Sequence, residues 1–80
     1  MRYELFTQVA LARDVPKKAL RAGDVATIVE HHPAASGEDG YTLEVFDAVG
    51  GTLAILTLAE SEIEPLRAGE ILSVRALTAT

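Results

Sequence analysis

Glu30, His31 and His32 are the strongest candidates in the chain for metal-binding chemistry, because imidazoles and carboxylates are common metal ligands. Neighbouring residues of a strand point to opposite faces, however, so the two imidazoles are badly placed to hold one ion. A complete site would also need ligands from elsewhere in the chain. We therefore expect a solvated strand end here, and we predict no metal and no other cofactor.

Carboxylates offer a second kind of chemistry. Asp24, Glu44 and Asp47 would make an acid and base pair if the fold brought them together. Most acidic side chains are surface charges, and Asp14 and Asp24 stand beside a proline and after a glycine. These are positions where aspartate accepts backbone N–H bonds in turns. We therefore interpret Asp14 and Asp24 as turn-stabilising residues.

Nucleophilic and phosphate-binding motifs are also weak. Ser61 lacks the Gly-x-Ser-x-Gly surroundings of a hydrolase nucleophile. The Gly50-Gly51 pair lacks the lysine and following helix of a phosphate-binding loop. A chain of 80 residues has no insertion that would form a pocket. We expect a protein without catalytic residues, and a small enzyme or ligand-binding protein is the third-ranked possibility.

A basic loop is the more serious candidate for a partner-binding site. It holds four of the seven basic residues within one short segment: Arg13, Lys17, Lys18 and Arg21. This loop suits a protein with an acidic surface, including the acidic segment 60–70 of a neighbouring subunit. Nucleic acid is the alternative partner, but a net charge of −5 and only two tyrosines and two phenylalanines disfavour it.

The segment Thr52–Leu58 is apolar on both faces, although a small barrel has only one interior. One of two alternate sets must therefore face outward: either Leu53, Ile55 and Thr57, or Ala54, Leu56 and Leu58. We predict a homo-oligomer, most simply a two-fold dimer. Its interface would draw on the apolar surplus of this segment and of the C-terminus: Leu53, Ile55, Leu56, Leu58 and Ile71. Burial beneath residues 59–70 of the same chain is the alternative.

Alternating apolar residues and turn signals place these candidates on short strands. A capping serine before Pro65 predicts a single helical turn at 61–64. Glycine, proline and polar residues make 32–40 a roomy loop, and 47–51 closes a hairpin. Strands are predicted at 8–12, 25–31, 41–46, 52–58 and 71–77.

This arrangement predicts an all-β fold, a small five-stranded SH3-like barrel with one short helical turn before the last strand. The whole chain, 1–80, would be a single domain. An OB-fold normally needs a longer chain and a helix between its third and fourth strands, and an open meander would leave an exposed edge. The N-terminal residues lack the apolar run of a secretory signal, and no later stretch approaches the roughly 18 apolar residues of a membrane span. We therefore expect a cytoplasmic protein that does not enter a membrane.

Four spaced segments also carry a resemblance to a known family. They are 13–16, with aspartate before proline, 20–30, with Gly-Asp and a valine-rich strand, the acidic strand 41–47, and 51–58. Together they resemble the bacterial family catalogued as domain of unknown function 4926, over about residues 5 to 66. Departures are Ala26, where the family usually has glycine, and the extension 67–80.

The resemblance implies a small β-barrel and supplies no activity and no catalytic residue. Members of the family resemble accessory proteins, which suggests an antitoxin, immunity or accessory role with a partner protein encoded nearby. Two function classes follow from the sequence: a self-associating interaction module, and a nucleic-acid-binding barrel that would act through the basic loop.

Overall fold

A computed structural model of the protein describes residues 3–66. Within this range the chain forms short antiparallel strands and two 3-10 turns, at Pro16–Lys18 and Glu60–Glu62. The strands are β1 (Gln8–Leu11), β2 (Val25–His32), β3 (Gly40–Phe46), β4 (Thr52–Ala59) and β5 (Ile63–Pro65). The predicted strands at 8–12, 25–31, 41–46 and 52–58 are therefore confirmed to within one residue at each end.

The last strand differs from the prediction. The predicted helical turn at 61–64 lies one residue earlier, at Glu60–Glu62, and Ile63–Pro65 continue directly into β5. Three residues are too few to show an alternating pattern in the sequence. Pro65 fits here because β5 is an edge strand among the described residues, and a missing N–H on its outer side leaves no ladder bond with β1 unmade. The predicted strand 71–77 lies outside the described residues.

The strands form one sheet in the order β4-β3-β2-β1-β5, with every pair antiparallel. A bulge between Ile28 and Glu30 interrupts the register of β2 with β3, and such bulges bend a strand and increase its twist. Five antiparallel strands in one sheet confirm the all-β fold, and this order, with a 3-10 turn before β5, is compatible with an SH3-like barrel. Within residues 3–66, the edge strands β4 and β5 do not pair, so hydrogen bonds do not close the barrel there.

The concave side of the sheet holds the core. Tyr41, Leu11, Ile28, Leu43 and Val9 are its largest fully buried side chains. They come from β1, β2 and β3. Buried residues alternate along β3 and the first half of β2, whereas Val9, Ala10 and Leu11 of β1 are all buried. Burying one such side chain contributes about 1.5–3 kcal/mol of transfer free energy. Leu20, which lies within the basic loop, joins this core and is only 2% exposed.

Candidate interaction surface

The β3–β4 hairpin turns through Asp47–Gly51. The Asp47 carboxylate accepts N–H bonds from Val49 at 3.0 Å and Gly51 at 2.7 Å through its Oδ1 atom. Gly50 has a φ of 89°, a left-handed conformation that glycine adopts without strain. Asp47 therefore fixes the turn instead of joining an acid and base pair.

The outer face of this hairpin exposes three large apolar side chains. Phe46 is 43% exposed, Leu53 is 46% and Ile55 is 54%. We call these three residues the hairpin patch. Ile55 lies opposite Glu44 in the β3–β4 register, and Val49 at the turn is 92% exposed. Isolated apolar residues are common on surfaces, whereas neighbouring ones on one face indicate an interaction site.

The structure also decides which face of β4 points outward. Leu56 and Leu58 are 8% and 7% exposed and belong to the core cluster with Leu43 and Tyr41. Their prediction as interface residues is therefore corrected, since the protein's own core takes up their side chains. Leu53 and Ile55 remain candidates, and Ile71 lies outside the described residues.

Burial of β4 beneath the following segment was the alternative to an interface. Between 59 and 66 the chain leaves β4, forms the second 3-10 turn and reaches β1, where β5 pairs with Val9, Ala10 and Leu11. This part of the segment therefore leaves Leu53 and Ile55 about half exposed.

The other end of the same outer face is polar. His32 Nε2 lies 2.7 Å from Thr42 Oγ1, which in turn lies 3.0 Å from Thr57 Oγ1. Within the hairpin patch itself, the Thr52 hydroxyl donates to the Glu44 carboxylate, since Thr52 lies opposite Phe46 and Glu44 opposite Ile55. These bonds pair the polar side chains of this face with one another. The exposed apolar side chains of the hairpin patch lie around the Thr52–Glu44 pair.

The basic loop is more strongly structured than its composition suggests. Val15 and Leu20 form an isolated bridge, and Ala19 adopts a left-handed φ of 58° after the first 3-10 turn. The loop is closed by aspartates, as predicted: Asp14 accepts the Ala22 N–H at 2.9 Å and Asp24 accepts the Arg21 N–H at 2.8 Å.

One charge of the basic loop is already paired within the chain. Arg13 Nε lies 2.5 Å from Glu62 Oε2 in the same chain. Lys17, Lys18 and Arg21 are exposed. The loop therefore presents a smaller positive surface than four basic residues imply, and one residue of the acidic segment 60–70 is already neutralised from within the chain.

His31 and His32 diverge, as expected for neighbours in a strand. His31 faces inward, where its ring stacks on Tyr41 and its Nε2 atom lies 2.7 Å from Asp39 Oδ2. It is therefore a packed residue and not part of a solvated strand end, because Tyr41 directly opposite it in β3 belongs to the core. Within residues 3–66, no three histidine, aspartate or glutamate side chains are grouped to hold a metal ion.

A contact of the N-terminal segment could not be foreseen from local patterns. The Tyr3 ring meets Tyr41 edge to face with centroids 5.6 Å apart, and the Tyr3 N–H donates to Tyr41 Oη at 3.1 Å. Burial, the nearby Glu60 carboxylate, then Tyr41 and Glu64 raise the pKa of the Tyr3 phenol above its ordinary value. The two tyrosines are distant in sequence, and no motif connects them.

The helices of residues 3–66 are too short to cross a lipid bilayer. Comparison with curated proteins gives no match, and neither does comparison with solved structures. Comparison with protein families matches residues 5–65 to a domain of unknown function, DUF4926. That range holds all the described strands and covers well over half of the 80 residues. The chain therefore belongs to the DUF4926 family.

Proposed function

We propose that this protein is a non-catalytic interaction module that self-associates and serves a partner protein, with the hairpin patch as its docking surface. The exposure of Leu53 and Ile55 on the outer face of β4 carries this proposal. Side chains of this kind lose stabilising burial when they face water, and a partner that covers them recovers it.

Chemical considerations support a binding role over a catalytic one. The carboxylates that suggested acid and base chemistry are engaged separately: Asp24 and Asp47 accept backbone N–H bonds in turns, and Glu44 accepts the Thr52 hydroxyl. His31 is held by Asp39 and Tyr41, and the Ser61 hydroxyl donates to Glu38 at 3.0 Å.

We assign the hairpin patch to a protein partner and not to a nucleic acid. The net charge of −5 opposes phosphate at long range. The ion pair between Arg13 and Glu62 further reduces the positive charge available in the basic loop. The two exposed phenylalanines, Phe6 and Phe46, lie outside that loop in the sequence, and the loop itself contains no aromatic residue on which a base could stack. We place the action of the module in the bacterial cytoplasm, since the sequence has neither the apolar run of a secretory signal nor one long enough to span a membrane.

Co-expression tests the proposal directly. The tagged chain is produced together with the proteins encoded beside its gene, and the purified material is sized by light scattering. We expect a stable complex, and we expect Leu53→Thr to weaken its association about tenfold or more, as interface residues near a patch centre commonly do. Threonine removes apolar surface, and because it is β-branched it favours a strand.

Leu5→Thr is the matched control, because Leu5 is 47% exposed and Leu53 is 46% exposed. It removes the same apolar atoms from a surface outside the hairpin, and association should be unchanged. A complex that tolerates Leu53→Thr and Ile55→Thr together as well as it tolerates Leu5→Thr would overturn the hairpin patch as the docking surface.

A further inference from the structure

The sequence of β4 is unusual for a strand at the edge of a sheet. Within residues 3–66, β4 pairs with β3 on one side only. Edge strands commonly carry charges or proline that prevent pairing with other chains. The strand Thr52–Ala59 contains neither, over eight residues.

The hydrogen bonds of the hairpin show which backbone groups point toward this edge. The Glu60 N–H donates to the Asp39 carbonyl, so Asp39 and Glu60 form a hydrogen-bonded pair. The next pair along the ladder, Gly40 and Ala59, is therefore a non-hydrogen-bonded pair. Hydrogen-bonded and non-hydrogen-bonded pairs alternate along an antiparallel ladder. Ile55 and Thr57 therefore belong to non-hydrogen-bonded pairs with β3, so their N–H and C=O groups point away from it.

We propose that a second copy of this chain pairs with β4, antiparallel and edge to edge, about a two-fold axis at Ile55. This proposal rests on the self-association stated under the proposed function, and it names the strand, the orientation and the register. In this register Ile55 faces its own copy as a hydrogen-bonded pair, and Leu53 faces Thr57 of the second copy. A shift of one strand by a single residue is excluded. It would place Ile55, whose N–H and C=O groups point to the free edge, opposite a residue whose N–H and C=O groups are already bonded to β3.

A second copy fits this edge for reasons of charge and of surface. Two chains that each carry a charge of −5 repel each other, and β4 is an uncharged stretch along which they can meet. Antiparallel pairing also keeps the outward side chains of both strands on one face. The hairpin patches of the two copies then adjoin across the axis and form one longer apolar strip for a partner protein.

The absence of cysteine from the chain makes a clean test possible. Residues of a hydrogen-bonded antiparallel pair have Cα atoms about 5.5 Å apart, within the range that a disulfide spans. In the full chain, Ile55→Cys should therefore become a disulfide-linked dimer under mild oxidation, as seen on a non-reducing gel. Thr27→Cys is the control, because Thr27 shares the register row of Glu44 and Ile55 but lies on β2. It should remain reduced and monomeric on the same gel.

A second variant checks the pairing without a crosslink. Ile55→Lys places two positive charges opposite each other at the axis and should convert the dimer to a monomer in light scattering, whereas Thr27→Lys should leave the dimer intact. Circular dichroism of Ile55→Lys should match the parent, because the side chain is half exposed.

The outcomes separate this inference from the proposed function. A dimer in which Ile55→Cys does not crosslink overturns the proposed pairing of β4 about Ile55 and leaves self-association standing. A monomeric chain that still binds a co-expressed partner through Leu53 also overturns the pairing, and it leaves the docking surface standing. A chain that is monomeric and binds none of its co-expressed neighbours overturns both.

Discussion

The imidazole of His31 lies flat against the phenol ring of Tyr41, with centroids 4.9 Å apart and planes inclined by 18°. Asp39 lies immediately before β3, and its Oδ2 atom is 2.7 Å from the Nε2 atom of the same His31 ring. The other carboxylate oxygen of Asp39 accepts the Ala34 N–H at 3.0 Å. The stack therefore fixes the loop between β2 and β3 to the core.

We expect Asp39→Ala to destabilise the protein by about 0.5–1.5 kcal/mol, because it removes the carboxylate that bonds the exposed Ala34 N–H and the partly buried ring of His31. Asp39→Asn retains an acceptor of the same shape and should cost less. Urea unfolding followed by circular dichroism measures both. Equal stability of Asp39→Ala and the parent would show that this carboxylate does not hold the loop.

Ionisation of the Tyr3 phenol should make the free energy of unfolding depend on pH in the alkaline range. Its pKa is raised above 10.0 in the fold, first by burial and then by Glu60. The unfolded chain therefore loses this proton before the folded one does. The stability that the protonated Tyr3 phenol contributes is fully present below the pKa of the unfolded chain. It is lost as the pH rises through the higher pKa of the folded chain.

Urea unfolding of the parent and of Tyr3→Phe across this range should show it. The parent should lose more stability with rising pH than Tyr3→Phe does, and the tyrosinate absorbance that Tyr3→Phe removes should have a midpoint above that of free tyrosine. A midpoint at the free value would contradict the burial of this phenol.

Two isoleucines provide a matched pair for the inner and outer faces of the sheet. Ile28 is 0% exposed and Ile55 is 54% exposed. Ile28→Ala should cost about 2–5 kcal/mol, because it removes apolar contacts and leaves a cavity. Ile55→Ala should cost at most about 1 kcal/mol in dilute solution, the size of a change in strand preference.

Denaturant unfolding at low protein concentration measures both isoleucine variants without a contribution from self-association. Similar losses for the two would mean that the side chain of Ile55 is covered within the chain, and would remove the basis for the hairpin patch.

The left-handed backbone of Ala19 predicts a stabilising substitution. This conformation costs an L-residue about 1–2 kcal/mol, and glycine avoids that cost. Ala19→Gly should therefore stabilise the protein by up to about 1 kcal/mol after the greater chain entropy of glycine is deducted. Ala22→Gly is the control in the same loop, with a negative φ, and should be slightly destabilising. A loss of stability in Ala19→Gly equal to that in Ala22→Gly would contradict the loop geometry.

Local patterns in the sequence were sufficient for the first four strands and for the turn residues. Alternation in 41–46 reports one buried and one exposed face, and Asp14 and Asp24 stabilise turns through bonds to nearby backbone. The identity of β5 was not predictable in this way. Its three residues pair with β1, which lies more than 50 residues earlier in the chain, so the pairing leaves no local signal.

The sequence by itself determined that β4 has more apolar residues than one interior can use, because composition and period are local properties. Only the tertiary structure decided that Leu56 and Leu58 enter the core while Leu53 and Ile55 remain outside. That choice depends on the register of β4 with β3, which places Leu43 opposite Leu56 and Glu44 opposite Ile55. In a strand that is apolar on both faces, only pairing with a strand that has a single apolar face fixes which side is buried.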